Sequence, residues 1–278
     1  MPEPEFLPPG SGYAALPVRK PRPSWAVAPA TYVLIAINCL VFLWMVANHV
    51  SAFTPTNEQI MHYGADSAGA VLIQGEWWRI VTAMFVHYGL IHLATNMWCL
   101  WNLGLLAEPL LGSAGMVAAY ILTGAAGNLL ATFYNWKHFY PDWLAYQDLR
   151  VFPPGVGASG AVFGIAGVLI ILLKSKRLPV PPEELRSLRK SVIYFAGINL
   201  AIGFSINFGS RFIGSGLLVD NMAHLGGFGS GLLMAMPLVP RLGSPKETFL
   251  TRRYLAIGMM VAILVLFGFF LAQLPDPH

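Results

Sequence analysis

The chain has 278 residues, of which 56% are hydrophobic and only 11% charged. Soluble domains carry about a quarter charged residues, so this composition, with a mean hydropathy of +0.60, excludes an ordinary soluble domain and indicates a polytopic membrane protein. The net charge of +4 is not a nucleic-acid signal, because its distribution follows the loops. The two cysteines, Cys39 and Cys99, lie inside apolar runs and read as packing residues rather than a disulfide or metal site.

Residues 1–27 hold seven prolines and the basic cluster Arg19, Lys20 and Arg22. No apolar segment follows Met1 closely, so the expectation is a flexible cytoplasmic tail, not a cleaved signal peptide. Seven apolar spans follow, at 28–50, 88–108, 114–134, 157–173, 191–208, 221–239 and 254–273; about 20 residues of helix cross the ~30 Å hydrocarbon core. The architecture expected is an all-α polytopic helical bundle. Between the first two spans, residues 51–87 carry QGEWWRIVTAMFVH and read as a structured loop partly in the interface, where Trp is enriched. The aromatic connection 135–155 also reads as interfacial. With the tail inside, the inner loops hold thirteen of the seventeen Lys and Arg residues; the outer loops hold Arg79, Lys137, Arg150 and Arg211. This bias sets the N-terminus in and the C-terminus out.

Span four opens with GVGASGAVFG. Glycine in a helix interior costs about 1 kcal/mol relative to alanine, so Gly155, Gly157, Gly160 and Gly164 need a reason. Close helix packing is one; a nucleophile at Ser159 that needs a small-residue wall is the other. From Ser159 to Lys174 a helix rises about 22 Å, which sets the serine roughly 8 Å below the outer boundary. The same count from His224 to Arg241 sets the histidine near 5 Å. A hydroxyl and an imidazole at matched depth, on two glycine-rich segments able to approach closely, suit a nucleophile and its base. His92 and Asn96 lie four apart on one helix face, near the outer end of span two, and are neutral donors of the kind an oxyanion hole needs. His87, His92 and His224 have no carboxylate or cysteine at ligand spacing beside them, so no metal is expected. Asp220 reads as the N-cap of span six, and Glu108 as a buried, hydrogen-bonded structural carboxyl near the 108–113 turn.

GASG at Ser159, AHLGGFGSG at His224, HLATN at His92–Asn96 and EWWR at Glu76–Arg79 together resemble the rhomboid family of intramembrane serine proteases. The resemblance covers most of 28–240. It implies a six-helix core over 28–240, with 241–278 adding a basic loop and a seventh transmembrane helix. It also implies a Ser–His dyad with no metal and no ATP. By motif position, Ser159 corresponds to the nucleophile, His224 to the general base, and His92 and Asn96 to oxyanion donors beside the Ser159 amide. Trp78 and Arg79 fall in the structured loop; Gly227 and Gly231 pack span six on span four, with Gly157 and Gly160 opposite. Phe163 stands where some members carry a tyrosine stacked on the histidine, so a ring is retained and a phenol hydroxyl is not. The function implied is cleavage of single-span membrane proteins near their outer boundary, in the plasma membrane, with the lipid bilayer as the medium and no nucleic-acid partner. The alternative is a catalytically inactive rhomboid-like protein that binds membrane clients. A transporter would want paired discontinuous helices and midplane charges, and the sequence has neither.

Overall fold

The computed structural model describes residues 24–175, 178, 180–213, 220–241 and 245–274. Residues 1–23, which carry most of the expected flexible tail, lie outside them, as do Lys176 and Arg177, two of the cations expected in an inner loop. The last four tail residues, Ser24–Val27, form a short helical turn instead of irregular chain.

Among the described residues, seven helices of 14 residues or more follow one another: α1 (Pro29–Ala47), α2 (Leu90–Leu111), α3 (Ser113–Tyr146), α4 (Ser159–Leu172), α5 (Pro182–Ile213), α6 (Asn221–Ala235) and α7 (Lys246–Ala272). They fall in the order of the seven apolar spans. The boundaries differ where local chemistry overrides hydropathy. Helix α3 runs twelve residues past the expected 134, into the connection read as interfacial loop. Nothing from 135 to 140 breaks a helix, and the rings of Trp136, Tyr140 and Trp143 pack on one another at a tilt while Trp136 stacks on Phe152, which holds the extension against the following chain. At 34 residues α3 is about 51 Å long, well beyond a ~30 Å hydrocarbon core. Helix α6 stops at Ala235 and tightens into a 3-10 segment, Met236–Arg241, because Pro237 and Pro240 supply no amide hydrogen for an α-helix.

Buried polar ties close the end of the bundle at which α1 begins. Glu108, at the end of α2, accepts from the Ala30 and Thr31 backbone N–H groups (2.9 and 2.7 Å), from the Thr31 hydroxyl (2.7 Å) and from Ser113 (2.7 Å). One carboxyl thus caps the N-terminus of α1, where unpaired N–H groups and the helix dipole favour negative charge, as the sequence reading expected of a structural carboxyl. Arg253 of α7 donates to the Leu111 carbonyl at 2.8 Å and so caps α2. Farther along α7, Leu264, Phe267 and Leu271 join Phe133 and Trp136 of α3 and Trp77 of the 51–87 loop in one apolar cluster.

The centre of the molecule is a glycine seam. Helix α4 is almost wholly buried and packs most extensively against α6 and α3. A Cβ on Gly227 would fall on the Gly160 carbonyl, and one on Gly231 on the Gly164 carbonyl. Gly164 in turn faces the Thr123 side chain of α3, and Gly127 of α3 faces the Ala223 carbonyl of α6. Backbone meets backbone along this seam, which is how helices pack tightly where lipid offers no hydrophobic drive for association.

Gly227→Ala and Gly231→Ala should therefore push α6 off α4, lowering the melting temperature in detergent and abolishing any activity of the site below. Gly229, on the same helix, faces open space. Gly229→Ala should be neutral or stabilising, since alanine is the better helix former by about 1 kcal/mol. Scanning fluorimetry of the three variants checks this; equal behaviour of all three would contradict the seam.

Candidate active site

The chain reaches Ser159 along a path fixed by the 51–87 loop. Arg79, mostly buried, donates to the Met61 carbonyl (2.6 Å), the Ala65 carbonyl (2.8 Å) and Glu76 (2.6 Å), with its guanidinium 4.4 Å over the Trp78 ring. The Glu-Trp-Trp-Arg motif is thereby one folded unit that sets the backbone leading to Asp66. Asp66 then pairs with Gly155 through both backbone bonds, 3.1 and 2.8 Å. Its carboxyl is buried, and burial first and the nearby Asp220 second push it well above the usual carboxylate range.

Two further ties lead from Gly155 to the serine. The Gly157 N–H donates to the Ala83 carbonyl at 2.9 Å, and the Ala158 N–H donates to Nε2 of His87 at 3.3 Å. Gly157 has φ +113, and a Cβ there would lie 2.7 Å from the His92 ring, so both backbone and space require glycine. Because His87 Nε2 accepts, its proton sits on Nδ1, which faces the Phe85 carbonyl at 3.4 Å. Ser159 is the first helical residue of α4, so its N–H has no partner within the helix. Hydropathy set the start of this span two residues earlier, at 157.

The Ser159 hydroxyl lies 2.8 Å from Nε2 of His224. Phe163, one turn along α4, stacks on the imidazole at 4.4 Å between centroids and 18° between planes. The glycine seam sets the distance between the two helices, and the phenyl ring sets the plane of the imidazole. Asp220 caps α6 through the Ala223 N–H at 2.9 Å, as expected from its position. On α2, His92 accepts the Tyr88 N–H at Nδ1 (3.3 Å), which leaves its proton on Nε2. Asn96 is buried one turn on, and its amide donates to the His92 carbonyl at 2.9 Å; a primary amide has a second N–H to give. His224 is thus in direct contact with both Ser159 and Phe163, His92 lies against Gly157, and Asn96 lies a turn behind His92 on the same face. Trp78 and Arg79 act at one remove, through the loop. Among the described residues no three His, Cys, Asp or Glu side chains are grouped as a metal site.

Sequence reasoning missed His87 as a support of the Ala158 amide, and the Asp66–Gly155 tie. The HYGLIH stretch does carry both imidazoles, whose rings meet edge to face at 5.2 Å. The glycines of α3, Gly124 and Gly127, were also passed over, although their three-residue spacing is a packing signal of the kind used for α4 and α6.

The fold and the site define a multi-pass helical membrane protein with a serine–histidine pair between two glycine-lined helices. Residues 74–241 match the family model described as Rhomboid domain, and the chain belongs to the rhomboid family. It is 30% identical over 247 residues to the Rhomboid protease GluP of Bacillus subtilis (strain 168), covering 89% of this chain and 41% of that protein. It is 26% identical over 256 residues to the Rhomboid protease AarA of Providencia stuartii, covering 90% of this chain and 86% of that one. RHOMBOID-like protein 1 of Arabidopsis thaliana is 28% identical over 187 residues, 67% of this chain and 41% of that protein. The chain thus spans about two fifths of the length of two of these relatives and most of the third.

His87 carries a pH consequence. Burial, and next the neighbouring His92, lower its pKa from 6.5 to about 3. A depressed native pKa means that the unfolded chain binds the proton more readily. The stability present above pH 6.5 is therefore lost progressively as pH falls from 6.5 towards 3, at about 1.4 kcal/mol per unit. His87→Gln keeps an acceptor for Ala158 without the titration. Its melting temperature between pH 7 and pH 4 should fall less steeply than that of the wild type; equal slopes would contradict the assignment.

Proposed function

We propose that this protein is an intramembrane serine endopeptidase that uses a Ser159–His224 dyad. The observation that carries the reading is the 2.8 Å contact between the Ser159 hydroxyl and Nε2 of His224, partly buried within a helical bundle that belongs to the rhomboid family and resembles relatives named as proteases. His224 takes the hydroxyl proton as Ser159 attacks the scissile carbonyl; the proton passes to the leaving amine, and an acyl-enzyme forms. Water then attacks the ester by the same route in reverse and restores the hydroxyl. The charge that develops on the carbonyl oxygen is met by the unpaired Ser159 N–H, by Nε2–H of His92 and by Asn96. No cofactor enters the reaction.

The substrates we propose are single-span membrane proteins. A transmembrane helix bonds all its backbone groups internally, so the segment must unwind to present a peptide bond. Unwinding is easiest near the outer boundary and at Gly or Pro, which are poor helix formers. The shallow depth expected of Ser159 suits that position. The glycine wall beside it, with Gly157 against His92, leaves room for a small residue before the cut. The Lys and Arg bias supports an N-terminus in the cytoplasm and a C-terminus outside, and the membrane we propose is the plasma membrane. We assign 28–240 as the catalytic core and 241–278 as its added loop and helix.

Proteoliposome cleavage of a panel of labelled single-span proteins, read by mass spectrometry of the products, tests the proposal. Cuts should fall a few residues inside the outer boundary, after a small residue. Ser159→Ala should abolish them while keeping the melting temperature. Asn96→Ala should lower kcat by about 10²–10³ with a smaller change in KM. Full cleavage by Ser159→Ala, or cuts confined to the cytoplasmic side, would overturn the reading.

A further inference from the structure

The dyad leaves one atom of the histidine unaccounted for. If Nε2 takes the serine proton, the ring's own proton sits on Nδ1, and His224 Nδ1 is buried with no hydrogen-bond partner. Such a group costs free energy and leaves the tautomer undefined. The obvious acceptor, Asp220, is not bonded to it: its Oδ1 instead caps the first turn of α6 through the Ala223 N–H. Asn221 is the next residue. It is only 5% exposed, and both its side-chain oxygen and its side-chain nitrogen are buried without partners. It precedes His224 by three positions on the same helix, a spacing that brings Cβ atoms to about 5–6 Å on one face. A buried donor without an acceptor and a buried acceptor without a donor thus occupy neighbouring positions.

We propose that Asn221 is a positioning residue, whose side-chain carbonyl accepts the Nδ1 proton of His224, directly or through one water, and so holds Nε2 free for the Ser159 proton. The inference rests on the dyad reading above. Its logic is that of a base oriented by a third, uncharged group, an arrangement used with Cys–His pairs elsewhere. The amide oxygen fixes the tautomer without placing a second charge in the bundle, where a carboxylate would be costly. The titratable groups around the ring, among the described residues, are Ser159 on α4, His92 on α2 and Asp220 at the start of its own helix. From α4, Phe163 contributes only an apolar face.

The test is the rate at which a fluorophosphonate labels Ser159 in the full chain in detergent, measured across pH. This rate reports activation of the hydroxyl without a natural substrate. Asn221→Leu, of similar size and without an acceptor, should label about 10–100-fold more slowly at an unchanged melting temperature. Asn221→Asp restores an acceptor and adds a negative charge that favours the imidazolium. It should therefore label faster than Asn221→Leu, with the acid limb of the pH profile moved to higher pH. A folded Asn221→Leu that labels at the wild-type rate overturns the proposal, as does an unmoved acid limb in Asn221→Asp. If Asn221→Leu shows no cooperative melt, the acid limb of Asn221→Asp decides. A wild type unlabelled at Ser159 overturns the dyad and this inference together; a labelled wild type with an indifferent Asn221 overturns this inference alone.

Discussion

The contact of backbone on backbone between α4 and α6 governs this molecule. Gly160 and Gly164 present carbonyls to the bare Cα positions of Gly227 and Gly231. One methyl group at either site would separate the helices by more than a hydrogen bond tolerates. With the seam closed, residues 65 apart in sequence meet at 2.8 Å. Nothing else in the described residues bonds Ser159 to His224, so the pair depends on packing that involves neither side chain. Phe163 adds the remaining constraint, because a ring stacked on the imidazole fixes its plane. In a bilayer, where apolar surface gains little by leaving lipid for protein, such close contact is a chief source of specific helix association.

The seam alone does not orient the chain that enters α4. That falls to the 51–87 loop, which reaches the serine through a relay of short bonds: Arg79 to the Ala65 carbonyl, Asp66 to Gly155, Ala83 to Gly157 and His87 to Ala158. Every link but Arg79 ends on backbone within four residues of Ser159. The loop therefore bears on the direction of the Ser159 N–H, the group proposed above to meet the oxyanion. At the opposite end of the bundle, Glu108 and Arg253 tie α1 and α7 to the end of α2. Polar capping holds that end, the glycine seam holds the centre, and the structured loop holds the site.

Much of this was legible in the sequence, for identifiable reasons. Glycine density in an apolar run is costly enough to signal close packing, and it pointed to both helices of the seam. Glu108 and Asp220 were read correctly as structural, since a carboxylate beside a helix end has an obvious use for its charge. The extension of α3 was not legible, because Trp136, Tyr140 and Trp143 look interfacial until Phe152 is seen to stack on Trp136. His87 and Asp66 were missed because each acts on backbone far away in sequence, and the residue types at either end say nothing about the pairing. Asn221 gave no signal beyond its place in DNMAH, where an asparagine next to a helix cap looks like part of the cap.

In the proposed dyad one bound substrate meets the Ser159 hydroxyl and His224 Nε2 together. A peptidyl chloromethyl ketone ending in alanine measures that directly. The serine adds to its ketone carbon, which brings the adjacent chloromethyl carbon to the histidine nitrogen; that nitrogen is alkylated as chloride leaves. Tandem mass spectrometry of the treated protein should find the adduct on His224, and Ser159→Ala should lose most of it. Alkylation of another histidine in its place, or of His224 equally in Ser159→Ala, would contradict the account.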